Sequence, residues 1–222
     1  MTEQIEYETM EFDVVIVGAG PSGLSAAIKI KQLNSDLNVV VIEKGSEVGA
    51  HIISGALFET RALEELFPNW QSLDCPVSLK VSNEQTMWFD DETTAKPVAQ
   101  SLIPKPMHND GNYIISLGNL CKWLGEQAEQ LGVEIFPGFS AVETVKDDNN
   151  QVIGIKTGKM GIDKQGNEKD SFVESMLLLA PITLICEGSR GQIAKQLISD
   201  YKLDEGRDPQ HFGLGIKEQW KI

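Results

Sequence analysis

Cysteine is scarce in this chain. Cys75, Cys121 and Cys186 are its three thiols, far apart and without a C-x-x-C pair. Such spacing supplies neither a zinc ribbon nor an iron–sulfur cluster, so no metal ligand is assigned. Cys121 and Cys186 sit in apolar surroundings and read as core thiols. Sparse thiols point to a reducing compartment. Long apolar runs are missing as well, and none approaches the roughly 20 residues of a membrane-spanning helix. Positive charge is short: 19 Lys and Arg against 33 Asp and Glu leave a net charge of -14. That balance argues against nucleic acid as a partner. The start of the chain, with Glu3, Glu6, Glu8 and Glu11, has no signal-peptide pattern and is too acidic for a mitochondrial transit peptide. No Ser/His/Asp or Cys/His constellation stands out, so no catalytic side chain is assigned.

What is present is one strand–turn–helix corner near the start. Val14 to Val17 is a continuous apolar run of the kind buried in a parallel sheet. It ends in Gly18-Ala19-Gly20-Pro21-Ser22-Gly23, which fits G-x-G-x-x-G, and good helix formers follow from Leu24. The order has a physical reason. Gly18 permits the tight turn, Gly20 lets a pyrophosphate reach the backbone, and Gly23 lets the helix lie close to the strand. The free N–H groups at the helix start then face the phosphates. Val39 to Ile42 reads as a second buried strand. It ends at Glu43, where this motif expects an acid that accepts from a ribose.

Length suggests one domain, or one domain with an insertion. Residues 1–74 read as the first part of a dinucleotide-binding fold, after a polar lead-in over 1–11. Within them, Gly49-Ala50-His51-Ile52-Ile53-Ser54-Gly55-Ala56 is rich in small residues, as suits a segment passing under a flat ligand. Thr60 to Phe67 reads as a short helix stopped by Pro68. Residues 75–111 are punctuated by Pro76, Pro97, Pro104 and Pro106 and read as an antiparallel excursion, with strands near 77–81 and 86–89. Residues 112–222 resume the first fold. Asn112 to Ile115 is a strand, and Ser116 caps a helix whose apolar face includes Leu120, Cys121, Leu124 and Ala128. A third parallel strand follows over 133–138, then a meander with strands at 141–145, 152–157 and 172–179. Pro181 to Cys186 is a further buried strand. It opens through Glu187-Gly188-Ser189-Arg190-Gly191 into a helix over 192–199. The tail from Phe212 to Ile222 reads as a strand.

Several of these stretches together carry a resemblance. They are the G-x-G-x-x-G with Glu43-Lys44, the 49–56 segment, Glu65-Leu66-Phe67-Pro68-Asn69-Trp70 and Met107-His108-Asn109-Asp110-Gly111-Asn112-Tyr113-Ile114. To these add Trp123 to Glu129, Glu187 to Gly191 and Ala194-Lys195-Gln196-Leu197. From about Asp13 onward the chain resembles the electron transfer flavoprotein–ubiquinone oxidoreductase family, as an N-terminal portion. The resemblance implies an α/β fold: an FAD-binding, Rossmann-like, glutathione-reductase-type three-layer domain with an antiparallel β excursion, incomplete at its C-terminus. It implies FAD as cofactor, and a 4Fe-4S cluster in a full-length member whose ligands are absent from this chain. The implied reaction passes electrons from reduced electron transfer flavoprotein to ubiquinone, with peripheral membrane contact. The implied location is cytoplasmic, on the inner face of a bacterial membrane.

Roles follow residue by residue. Gly18, Ala19, Gly20, Pro21, Ser22 and Gly23 would hold the pyrophosphate, and Glu43 the adenosine ribose with Lys44 beside it. Gly49, Ala50, His51, Ser54 and Gly55 would run beside the flavin. Val142 would present backbone to the adenine, and Glu187 with Gly188 would form a second corner at the cofactor. Residues 88–105 match a hairpin that is membrane-facing in this family. Two alternatives stay open: another FAD-dependent oxidoreductase, such as a monooxygenase or lipid-chain reductase, and a non-catalytic flavin-fold fragment. A dehydrogenase using NAD alone fits the internal motifs less well.

Overall fold

The structure is a computed structural model and describes residues 7–216 and 218. In chain order it begins with strands β1 (Glu8–Glu11) and β2 (Val14–Val17), helix α1 (Pro21–Leu33) and strand β3 (Val39–Glu43). Then come β4 (Gly55–Phe58), α2 (Arg61–Leu66), β5 (Leu79–Lys80), β6 (Met87–Phe89), β7 (Ala95–Pro97) and β8 (Tyr113–Ser116). Next are α3 (Leu117–Gln130), β9 (Glu134–Pro137), β10 (Ala141–Lys146), β11 (Val152–Thr157) and β12 (Met160–Ile162). The last elements are β13 (Glu168–Val173), β14 (Met176–Leu179), β15 (Ile182–Ile185) and α4 (Gln192–Tyr201). Contacts divide the chain into two compact units. One is Met1–Ile53 with Cys121–Ile222, and the other is Ser54–Leu120. Residues 54–74 thus group with the antiparallel strands, because β4 pairs with β8.

The first unit is built on a parallel sheet in the order β15-β2-β3-β9. All four residues of β2 are buried, as a strand covered on both faces requires. Ile16 faces α1: its Cγ2 lies 3.2 Å from where a Cβ would stand on Gly23. Val15 and Val17 face the other way. They pack with Val40, Ile42, Ile155, Leu178 and Ile193 in one buried cluster. Each such side chain contributes about 1.5–3 kcal/mol by leaving water. That cluster joins the parallel sheet to a second sheet, β1-β14-β11-β10, in which β10, β11 and β14 run antiparallel. Helix, parallel sheet and antiparallel sheet give the three layers read from the sequence.

Local chemistry fixes the helix ends. Pro21 stands at the start of α1, where a missing N–H costs nothing. At its end Lys31 is buried and donates from Nζ to the carbonyls of Ser35 (2.6 Å) and Leu37 (2.9 Å). A cation there also suits the negative end of the helix dipole. Ser116 caps α3 by accepting the Asn119 N–H at 3.3 Å.

Three details differ from the sequence reading. Residues 8–11 are not a lead-in but β1, which pairs parallel with β14; Met10 packs against the core cluster and supplies the anchor. The strand expected over 172–179 is broken at Glu174 and Ser175. β13 turns out into a hairpin with β12, and only β14 joins the meander. Residues 212–216 form no strand, and the rest of that expected strand lies outside the described residues except for 218.

The second unit holds a three-stranded sheet, β4-β8-β5, and the two-stranded hairpin of β6 with β7. Trp70 is buried and meets the Tyr113 ring edge-on at 5.8 Å. The Glu84 carboxylate accepts from both the side chain and the backbone N–H of Asn109, which holds its pKa below the usual carboxylate range.

Candidate functional site

The C-terminal ends of β2, β3 and β15 open together onto one cavity of about 960 Å³. Open α/β sheets place ligands at this edge, and roughly 1,000 Å³ is the upper end of ordinary ligand pockets. The G-x-G-x-x-G loop forms its floor.

The three glycines of that loop have different reasons to be glycine. Gly18 has φ +107°, and a Cβ on it would stand 2.5 Å from the Cys186 carbonyl oxygen. A Cβ on Gly23 would stand 2.0 Å from the Gly18 carbonyl oxygen. Both are demanded by the protein's own packing. Gly20 has φ -82°, an ordinary value, and a Cβ on it would meet nothing within 4 Å. The protein's own packing does not require glycine at this position, and the backbone there is open to close approach by a ligand. The start of α1 beside it has no side-chain cap from Gly20, and its first residues, Pro21 and Ser22, line the cavity.

Two carboxylates line the cavity, and both are taken up by backbone N–H groups. Glu43, with only 13% of its side chain exposed, accepts from Ala19 at 3.0 Å and from Gly45 at 2.7 Å. His51 Nδ1 lies 3.8 Å from the same carboxylate. Glu187 accepts from Gln192 at 3.1 Å and from Ala194 at 3.0 Å, across the first turn of α4. Lys44, Arg190 and Lys195 also line the cavity. Against the two carboxylates these three cations leave a local positive excess in a chain of net charge -14, suited to an anion, with Arg190 also lying 5.1 Å over the Phe212 ring.

Eleven of the residues expected at the cofactor line this cavity: Gly18 to Ser22, Glu43, Lys44, Gly49, His51, Glu187 and Gly188. Gly23 lies beneath the loop as a packing position. Ala50 is not among the lining residues. Ser54 and Gly55 belong to the second unit, where Gly55 starts β4. Val142 instead borders a separate shallow groove with Lys146, Gln196 and Asp200, and its carbonyl accepts from Gln196 at 2.9 Å. Cys186 is not a core thiol. It is part-exposed, lines the cavity, and accepts the Ser22 hydroxyl at 3.7 Å. Cys121 is buried, and burial, then the nearby Glu43 charge, pushes its thiol up to about 11. The sequence reading missed Phe139 and Ser140, which enter from the connection after β9, and Ala141, which starts β10. The signal was there: a third parallel strand must end at the same edge as the first two.

Among the described residues no group of three or more His, Cys, Asp or Glu could hold a metal ion, and no helix is long and apolar enough to cross a membrane.

A family model described as the Thi4 family matches residues 1–66. The electron transfer flavoprotein-ubiquinone oxidoreductase of Pseudomonas aeruginosa is 54% identical over 98% of this chain and 40% of its own length. The probable electron transfer flavoprotein-ubiquinone oxidoreductase of Acinetobacter baylyi is 52% identical over 98% of this chain and 39% of its own length. Among solved structures, the myxobacterial chondrochloren halogenase, a variant of FAD-dependent halogenases, superposes with a TM-score of 0.56 at 14% identity, covering 83% of this chain and 39% of that one. At that identity the likeness shows the fold alone. The chain thus spans about 40% of the length of the curated relatives it matches. Along nearly all of its own length, the chain is similar to the electron transfer flavoprotein-ubiquinone oxidoreductases and fits an N-terminal portion of such a protein.

Proposed function

We propose that the cavity binds FAD, and that in the whole protein this flavin carries electrons from reduced electron transfer flavoprotein to ubiquinone. The observation that carries the first half is Gly20. Its Cβ position opens into free space at the start of α1, in a cavity also lined by Lys44, Arg190 and Lys195. The uncapped N–H groups of α1 and the Ser22 hydroxyl would hold the pyrophosphate. Glu43 would keep the loops on either side of the adenosine ribose in place and offer its remaining lone pairs to the hydroxyls. Gly49 and His51 would flank the flavin end, and Ile42, Phe139 and Ile185 would keep water from that wall. Bound FAD would supply the electron-carrying chemistry itself. The second half rests on the relatives' names. The residues of this chain do not fit a 4Fe-4S cluster, and no step here passes through one.

Peripheral membrane contact on the inner, cytoplasmic face belongs to the same proposal. The β6–β7 hairpin supports it, because Trp88 and Phe89 are each 66% exposed and Leu102 beyond it is 75% exposed. The binding proposal is tested by mixing purified protein with FAD, removing the excess and recording the visible spectrum. The expected result is a retained two-band flavin spectrum. A colourless protein after reconstitution would overturn the assignment.

A further inference from the structure

Residues 44–52 leave the end of β3 and fold into a tight loop beside the cavity. Gly49 has φ +84°, and the Ala50 and Ile52 N–H groups donate back to the carbonyls of Glu47 (3.2 Å) and Gly49 (3.0 Å). The loop is fastened to α3 at Glu47, which accepts from Lys122 Nζ at 3.0 Å. Further on, His51 lines the cavity with Nδ1 3.8 Å from Glu43 Oε1, the oxygen that also accepts the Gly45 N–H. Gly45 makes room for this approach: a Cβ there would stand 3.0 Å from Glu43 Oε1 and 3.4 Å from the Ala50 Cβ. The bonds from Ala19 and Gly45 fill only part of the roughly four acceptor positions of a carboxylate. The His51 side chain is 58% exposed and that of Glu43 13%, so the ring can take a proton from water while the carboxylate it meets is largely out of water.

We propose that His51 is a positioning residue: when it carries a proton, its imidazolium ties the loop to the Glu43 carboxylate and holds that loop against the adenosine end of a bound FAD. This rests on the reading of the cavity as an FAD site and deepens it. Histidine is the side chain whose ordinary titration falls between pH 5 and 8. A cation facing a carboxylate that is mostly out of water is screened less than an exposed pair. It also adds positive charge to a cavity suited to a pyrophosphate. The other charged groups around the pair are Lys44, Glu47 with its partner Lys122, and Glu187, Arg190 and Lys195 elsewhere on the cavity wall. Carboxylates, lysine and arginine ordinarily keep their charge across this range. The Cys121 thiol of α3, which also feels Glu43, is pushed up to about 11 by burial first and that charge second, and so stays neutral.

The test measures FAD affinity by flavin fluorescence quenching from about pH 8.5 down to about pH 5.5. FAD keeps its own charge over this span. The parent should bind FAD about two- to fivefold more tightly at the acid end. His51→Gln should stay at the parent's alkaline affinity throughout, a loss of slope that a merely structural role would not produce. Glu43→Gln, which keeps an acceptor for the ribose without the charge, should lose the slope as well. The chain's other histidines are His108 and His211, and His108→Gln should keep the parent slope. A parent without the slope, or a slope that survives His51→Gln or Glu43→Gln, would overturn the proposal. A second measurement needs no FAD. The Ala19 and Gly45 N–H groups both donate to Glu43, and their resonances in the ligand-free, isotopically labelled chain report on it. Both should move over the same span in the parent and stay in place in His51→Gln. Resonances that stay in place in the parent would also overturn the proposal. Resonances that move in a parent that takes up no FAD would sink the flavin reading and leave the link between His51 and Glu43 standing.

Discussion

The Glu43 carboxylate accepts the backbone N–H of Ala19 at 3.0 Å, joining the end of β3 to the middle of the glycine loop. Its other oxygen holds Gly45 at 2.7 Å. A residue expected only to meet a ribose therefore also sets the shape of the loop that meets the phosphates.

A prediction follows that separates the two roles. A hydrogen bond to a charged group is worth about 1.5–3 kcal/mol. Glu43→Ala should weaken FAD by roughly ten- to a hundredfold, measured by quenching of flavin fluorescence. Inorganic pyrophosphate, which has no ribose, should also bind this variant more weakly than the parent. Unchanged pyrophosphate affinity beside weakened FAD would confine Glu43 to the ribose.

The loop glycines give a paired prediction. Gly23→Ala forces a Cβ into the Gly18 carbonyl at 2.0 Å, and backbone cannot step aside as a side chain would. Overpacking of this kind costs about 1–3 kcal/mol, so its unfolding midpoint in urea should fall clearly. Gly20→Val meets open space and should cost under about 1 kcal/mol of stability. It should nonetheless abolish retention of FAD, because its side chain stands where the ligand must approach. Retention of FAD by Gly20→Val would show that the loop is not the phosphate site.

This contrast marks what the sequence could and could not disclose. G-x-G-x-x-G named all three glycines, because the motif joins two that local backbone packing fixes, Gly18 and Gly23, to one whose open side it associates with a ligand, Gly20. The apolar runs of β2, β3 and β15 likewise announced the parallel sheet. The double service of Glu43 and the inward fold of Glu187 were not legible. Both depend on which N–H groups lie within 3.1 Å of a side chain in three dimensions. β1 was missed because three of its four residues are exposed, so its polar look hides a pairing made by backbone and by Met10. Phe139 to Ala141 reach the cavity by topology rather than by motif.

The turn of the β6–β7 hairpin carries a pH prediction. Asp91 accepts from the Thr93 N–H, the Thr93 hydroxyl and the Thr94 N–H, and these bonds lower its pKa from 3.8 to about 2. A lowered carboxyl pKa adds stability above its unfolded value and loses it as pH falls toward the folded one. The hairpin should therefore keep its order from neutral pH down to about 4 and lose this contribution between there and about 2. Trp88 fluorescence should report that window, and Asp91→Ala should remove it.

The same hairpin decides the membrane proposal. Trp88 and Phe89 point two large apolar groups into solvent, and Leu102 and Met107 add more, at 75% and 58% exposure. Tryptophan in particular favours the headgroup level of a bilayer. The turn between the strands works against this on anionic lipid, since it carries Asp90, Asp91 and Glu92, of which Asp90 pairs with Lys96 at 2.5 Å. The expected behaviour is weak contact that depends on the apolar side chains and is repelled by negative headgroups. In a flotation experiment the chain should stay mostly at the bottom with phosphatidylserine-rich vesicles and rise modestly with neutral phosphatidylcholine. Trp88→Ser with Leu102→Ser should abolish that modest rise while leaving the FAD spectrum unchanged. Firm flotation that survives both substitutions would place any membrane-binding surface elsewhere on the protein.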